Sequence, residues 1–155
     1  MRSKFEASVL KGQLPNSHRP RSPKQIRPKN FYRLYSDLLF SIMDSLPLVT
    51  IGIPVYNCEQ YIELAIKSIL KQAYANFELI ITDDGSTDNT VEKVRKFDDP
   101  RIKLIADGKN RGISYRLNQQ IDMAEGAFFV RMDGDDMMFP TRIEKQIGYL
   151  LEHSN

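Results

Sequence analysis

From Pro47 onward, short runs of β-branched and apolar residues alternate with segments whose apolar residues recur every three or four positions. This alternation restricts the fold more than any other feature of the chain. The runs at 48–53 (LVTIGI), 77–82 (FELIIT), 101–106 (RIKLIA) and 127–132 (AFFVRM) read as strands. Ile62, Ala65, Ile66, Ile69 and Leu70 share one helical face; Val91, Val94 and Phe97 share a second. Ile113, Leu117 and Ile121 mark a third helix, and Ile143, Ile147, Leu150 and Leu151 a fourth. Asn57 is expected to cap the first helix and Ser86 or Asp88 the second, with Pro140 at or near the start of the last. Near-continuously apolar strands separated by helices belong to a parallel sheet covered on both faces.

The region before Pro47 is different. Residues 1–30 carry Pro15, Pro20, Pro23 and Pro28 among serine, asparagine and basic residues, and are expected to be a disordered basic leader. Residues 31–46 read as an amphipathic helix, with Phe31, Leu34, Tyr35, Leu38, Leu39, Ile42, Met43 and Leu46 on one stripe, Asn30 as its cap and Pro47 closing it. Residues 47–155 are expected to form the folded domain. Charge follows the same division. Before Leu46, nine basic residues face three acidic ones, a balance of +6; the net charge is +2, so the remainder carries −4. The overall balance calls for no nucleic-acid partner. The apolar stripe beside a basic leader packs on protein in the favoured reading. An anionic membrane surface is the other candidate. No run approaches the roughly 18 apolar residues of a membrane span, and no secretory signal follows the basic start. The single cysteine, Cys58, excludes an intrachain disulfide and a multi-cysteine zinc site, which leaves a reducing, cytoplasmic location, peripheral at the membrane if the leader binds there, as the default.

In open parallel sheets, ligands sit beyond the carboxyl ends of the strands. The polar clusters of this chain fall at those ends. Asp133-Gly134-Asp135-Asp136 places hard oxygen ligands on one turn, which suits magnesium or manganese shared with phosphate oxygens, although solvated surface turns look similar. A calcium loop fails because Met137 and Met138 stand where a ligand and a glycine are needed. In Asp83-Asp84-Gly85-Ser86-Thr87-Asp88, helix capping needs only Ser86 or Asp88, so Asp83 or Asp84 is left to accept hydrogen bonds from a base edge or ribose. Tyr56, in Pro54-Val55-Tyr56-Asn57, is either a core residue or a stacking surface for a nucleobase. Asn110-Arg111-Gly112 is either a glycine turn before a helix or a charged rim of the same site.

The segments VTIGIPVYN at 49–57, SILKQAYANFELIITDDGSTDNT at 68–90, KNRGIS at 109–114 and AEGAFFVRMDGDD at 124–136, with Pro140 just after, stand in a fixed order and spacing. Together they resemble the family 2 glycosyltransferases of the GT-A type. The resemblance covers about 48–155. It implies a GT-A, Rossmann-like α/β fold with strand order 3-2-1-4 and a metal-dependent, inverting sugar transfer from a nucleotide-diphospho-sugar to an acceptor hydroxyl. It further implies that Pro54, Tyr56, Asp84 and Asp133 bind the nucleotide-sugar, with Tyr56 and Asp84 at the base and Asp133 near the ribose. Asp135 then contacts the metal, Mn2+ or Mg2+. A UDP-sugar is the expected donor, and a saccharide or lipid-linked molecule the acceptor. Family members often show Ala-Arg-Asn where this chain has Tyr115-Arg116-Leu117-Asn118, a departure in that loop. The catalytic base is expected in an acceptor-binding half beyond Asn155. The chain is therefore expected to bind donor without transferring sugar, and to self-associate weakly through the strand at 127–132. The alternative is a non-catalytic nucleotide-sugar-binding fragment. A receiver-type signalling domain would need a different arrangement after the third strand. A dinucleotide enzyme would need a Gly-x-Gly-x-x-Gly where Pro54-Val55-Tyr56-Asn57 stands.

Overall fold

A computed structural model describes Arg33 and residues 46–153. The expected leader at 1–30 and, apart from Arg33 and Leu46, the expected helix at 31–46 lie outside the described residues. The elements in chain order are β1 (Val49–Val55), α1 (Ile62–Leu70), β2 (Phe77–Asp83), α2 (Thr90–Arg95), β3 (Ile102–Ala106), α3 (Ile113–Met123), β4 (Phe128–Arg131) and α4 (Arg142–Glu152). The strands form one parallel sheet in the order β3-β2-β1-β4. Each connection between strands contains a helix, as parallel neighbours require.

The two central strands are buried along their whole length, and their faces differ in character. Val49, Ile51, Ile53 and Val55 of β1 join Phe77, Leu79 and Ile81 of β2 in the apolar core. Ile62, Ala65, Ile66 and Ile69 of α1 and Ile143 and Ile147 of α4 complete that core. This face carries most of the apolar burial, and with it most of the hydrophobic stabilisation.

The opposite face is polar. Gln120 of α3 donates through Nε2 to Thr82 Oγ1 at 2.7 Å. Thr50 Oγ1 donates to Glu78 Oε1 at 2.6 Å, and the Glu125 amide donates to the same oxygen at 2.7 Å. Lys103 closes the network on Glu78 Oε2 at 2.9 Å. Burial alone would push the Glu78 carboxyl up; its bonds to Thr50, the Glu125 amide and Lys103 hold it below its ordinary value. These contacts also fix the turn between α3 and β4, where the Gly126 amide reaches Thr50 Oγ1 at 2.9 Å.

This polar face corrects the expectation for α3. Arg116 and Gln120 are its fully buried residues, whereas Ile113 and Ile121 are half exposed. A helix turns the same side chains inward at i and i+4, and here the inward pair is polar because β2 offers Thr82 to Gln120 and its end offers Asp84 to Arg116. Buried polar groups without partners are costly, so the helix supplies donors and leaves its isoleucines outside. Leu150 and Leu151 are likewise exposed, because the inward stripe of α4 is Ile143 and Ile147. Pro140 stands just before α4, where its carbonyl accepts the Ala73 amide at 2.8 Å.

Candidate functional site

At the carboxyl ends of β1 and β2, two loops are bonded together residue by residue. The Asn57 amide donates to Ser86 Oγ at 2.9 Å, and the Thr87 amide donates to Asn57 Oδ1 at 2.8 Å. The Cys58 amide donates to Thr90 Oγ1 at 2.8 Å, and the Glu59 amide to Asp88 Oδ2 at 3.0 Å. Asn57, with φ 51, is therefore a bridge between loops and not the cap of α1. Ser86 is spent on the same bridge. The N-cap position of α2 falls on Asn89, whose side chain makes no cap bond; Asp88 just before it accepts the Thr90 amide at 2.9 Å.

The loops leave Tyr56 half exposed at the mouth of β1. With Pro54, Val55, Asp84 and Ile113 it lines a small cavity of about 110 Å³. Three of the expected site residues thus come together in one place. Asp83 is not among the residues lining this cavity: its Oδ2 accepts the Gly85 and Ser86 amides at 3.1 and 3.0 Å, closing the turn after β2. Gly85 takes φ 76 in that turn, and a Cβ there would lie 2.9 Å from the Asn110 amide nitrogen. Only glycine lets the 107–112 loop lie against the strand end in this way.

Asp84 is the most heavily bonded carboxylate of the site. Its Oδ1 accepts the Arg111 amide at 2.7 Å, the Gly112 amide at 3.2 Å and Arg116 Nε at 3.0 Å. Its Oδ2 accepts the Gly112 amide at 3.0 Å. Burial would raise the Asp84 carboxyl, but the Arg111 amide, the Arg116 guanidinium and the Gly112 amide outweigh it and hold it below the usual carboxylate range. The charged form is therefore the one present at neutral pH.

The other two expected residues sit on the turn that follows β4. Strand β4 lies beside β1 with Arg131 opposite Gly52, and the Met132 amide bonds the Gly52 carbonyl at 3.0 Å. The chain leaves β4 beside the end of β1, and Gly134 packs there: a Cβ would meet Val55 Cγ1 at 2.9 Å. Asp133 pairs with Arg131 at 2.8 Å, both side chains half exposed. Asp135 is exposed, and among the described residues no hydrogen bond or ion pair engages its carboxylate. Cys58 adjoins this turn, but burial pushes its thiol up, and nearby Asp135, Asp88 and Asp83 add to the effect, so it is not an activated nucleophile.

Arg116 escaped the sequence reading. It is fully buried, yet its guanidinium meets Asp84, Asp107 Oδ1 at 2.6 Å, Gln119 Oε1 at 3.0 Å and the Lys109 carbonyl. The one available signal was its position, four residues before Gln120, on a helix whose apolar residues form an incomplete stripe.

The sheet order and the acidic turns at its carboxyl edge define the GT-A architecture of glycosyltransferases. TarS 1–349 of S. aureus, solved in complex with UDP, superposes with a TM-score of 0.63 at 30% identity, over 68% of this chain and 32% of that one. Its complex with UDP-GlcNAc gives 0.63 at 28% identity, over 68% and 32%. The sequence model of glycosyl transferase family 2 matches residues 50–155, and the chain belongs to that family. It is 41% identical over 107 residues to UDP-Glc:alpha-D-GlcNAc-diphosphoundecaprenol beta-1,3-glucosyltransferase WfgD of Escherichia coli, covering 69% of this chain and 42% of that protein. The chain spans less than half the length of the curated relatives it matches. Among the described residues no helix is long and apolar enough to cross a membrane.

Proposed function

We infer that this chain is the donor-binding part of a metal-dependent glycosyltransferase that takes a nucleotide-diphospho-sugar, with a UDP-sugar as the favoured donor. The observation that carries this reading is the meeting of Pro54, Tyr56 and Asp84 around one cavity, with the Asp133–Asp135 turn on the neighbouring strand. The base enters the cavity and stacks on the exposed face of Tyr56. Asp84 Oδ2 accepts one amide in the structure, and a carboxylate oxygen carries two lone pairs. The free one takes an N–H from the base edge. The ribose lies toward Asp133 and the diphosphate toward Asp135.

The residues present suit a hard divalent cation. Asp135 is a free, exposed carboxylate, and among the described residues no three His, Cys, Asp or Glu side chains form a group that could hold a metal. A cation bound through Asp135 would take its other ligands from diphosphate oxygens and water, the usual habit of magnesium, and manganese accepts the same oxygen donors. When bound, it supplies charge stabilisation of the departing diphosphate. Attack of an acceptor hydroxyl from the face opposite the diphosphate then gives inversion. The family and the UDP and UDP-GlcNAc complexes of the TarS neighbour support the donor class.

Calorimetry of the chain with UDP, with and without Mn2+, tests the proposal. Binding that requires the metal and prefers UDP over other nucleoside diphosphates is expected. Metal-independent binding, or equal affinity for every base, would remove the metal or the base pocket respectively from the account.

A further inference from the structure

The loop between β3 and α3, residues 107–112, lies behind two residues of the base cavity's lining: its Arg111 and Gly112 amides bond Asp84, and it runs directly into Ile113. Its internal bonds run from Asp107 alone, to the Lys109 amide and Arg111 Nε. Gly108 and Gly112 have φ of 68° and 86°, and a Cβ at either would meet nothing within 4 Å. A loop of this kind samples many conformations unless something outside it fixes its ends.

Both ends are fixed by the same buried group. At the start of the loop, Asp107 Oδ1 accepts Arg116 NH2 at 2.6 Å and the Lys109 amide at 3.1 Å. In the middle, the Lys109 carbonyl accepts Arg116 NH2. At the end, the Arg111 and Gly112 amides bond Asp84, which Arg116 Nε holds from below at 3.0 Å. Arg111 Nε also reaches Asp107 Oδ2 at 3.3 Å within the loop, and its guanidinium lies 4.8 Å from the Tyr115 ring centre on α3. The planar guanidinium of Arg116 thus spans four acceptors, on Asp84, Asp107, Gln119 and the Lys109 carbonyl, a geometry that the single point charge of a lysine cannot reproduce.

We propose that Arg116 is a positioning residue for donor binding: acting through Asp84, Asp107 and the Lys109 carbonyl, it holds the 107–112 loop so that Asp84 and Ile113 stand preformed in the lining of the nucleotide-base pocket. The proposal rests on the base-site reading above. Its consequence concerns affinity. A pocket formed in only a fraction of molecules binds its ligand more weakly by that fraction. Arg116 keeps the fraction near one before the donor arrives. The alternative role is purely structural, since Arg116 also ties α3 to β2, and the two roles separate by which part of the ligand feels the change.

The test compares UDP with inorganic pyrophosphate, each in saturating Mn2+, by calorimetry on the parent, Asp107→Asn and Arg116→Lys. Asp107→Asn is the variant that keeps the fold, because it leaves the Arg116–Asp84 bond in place. The expected result for both variants is about a tenfold loss of UDP affinity, unchanged pyrophosphate affinity, and faster hydrogen exchange at the Arg111 and Gly112 amides. Arg116→Lys, though it keeps the charge, does not restore UDP binding. If the parent binds UDP and both variants match it, the proposal fails while the base-site reading stands. Equal losses for UDP and pyrophosphate would show that Arg116 merely supports the fold. A parent that binds pyrophosphate with Mn2+ as tightly as UDP overturns the base-site reading, and the proposal with it.

Discussion

Arg116 Nε lies 3.0 Å from Asp84 Oδ1, and the arginine side chain is wholly shielded from solvent while the aspartate side chain is 10% exposed. A buried charge pair is held only where further hydrogen bonds satisfy both partners, and here they do. The pair joins a helix that packs on the polar face of the sheet to the strand end where the site is built. It therefore links the unusual inward face of α3 to the shape of the cavity beside Tyr56.

The metal assignment is tested by Asp135→Ala. The exposed carboxylate has no structural partner among the described residues, so its removal should leave the melting temperature unchanged. Affinity for UDP in Mn2+ should fall more than tenfold, about 1.4 kcal/mol or more. Equal calorimetric affinities for mutant and parent at saturating Mn2+ would take Asp135 out of the site.

Tyr56 is half exposed, so Tyr56→Ala should scarcely alter stability. The same change should cost about 1–3 kcal/mol of UDP binding, by analogy with bases stacked on aromatic side chains. A lowered melting temperature with undiminished affinity would make Tyr56 a structural residue.

The polar face of the sheet makes a stability prediction. Gln120→Ala strips Thr82 of its partner and should destabilise the fold by about 1–3 kcal/mol. Replacing both partners, as Thr82→Val with Gln120→Leu, should recover much of that loss. Chemical denaturation measures both; a double variant less stable than the single would show that packing, not hydrogen bonding, dominates there.

Acid should weaken the loop contacts in a defined window. The Arg116 guanidinium and the Lys109 amide hold the Asp107 carboxyl at about 2, against an ordinary 3.8. A carboxylate depressed in this way stabilises the fold above its unfolded value and ceases to do so as pH falls through the folded one. The stability gap between parent and Asp107→Asn should be constant above about pH 5, narrow from 3.8 downward and close near 2. A gap that stays the same across this range would mean that Asp107 contributes no charge interaction.

The strands were legible because burial on both faces leaves continuous apolar runs, and the order 3-2-1-4 followed from the family resemblance. The acidic turn after β4 and the Tyr56 and Asp84 strand ends were legible because their polarity interrupts such runs. Three features were hidden. Arg116 and Gln120 face inward against the apolar pattern of α3, and only the positions of Asp84 and Thr82 at and near the end of β2 explain why. Asn57 and Ser86 are both common cap residues, but each found its partner about 30 positions away, a pairing that no local spacing displays. Leu150 and Leu151 continue an apolar stripe past the point where α4 still meets the core.

The central claim places the base at Tyr56 and Asp84 and the diphosphate at Asp135. A crystal structure of the chain with UDP and Mn2+ tests it most directly. The account predicts uracil stacked on Tyr56 with its imide N–H on Asp84 Oδ2, and the metal between Asp135 and the diphosphate. Nucleotide bound elsewhere, such as in the apolar groove between β4 and α4 lined by Phe129, Val130, Gln146 and Leu150, would contradict it.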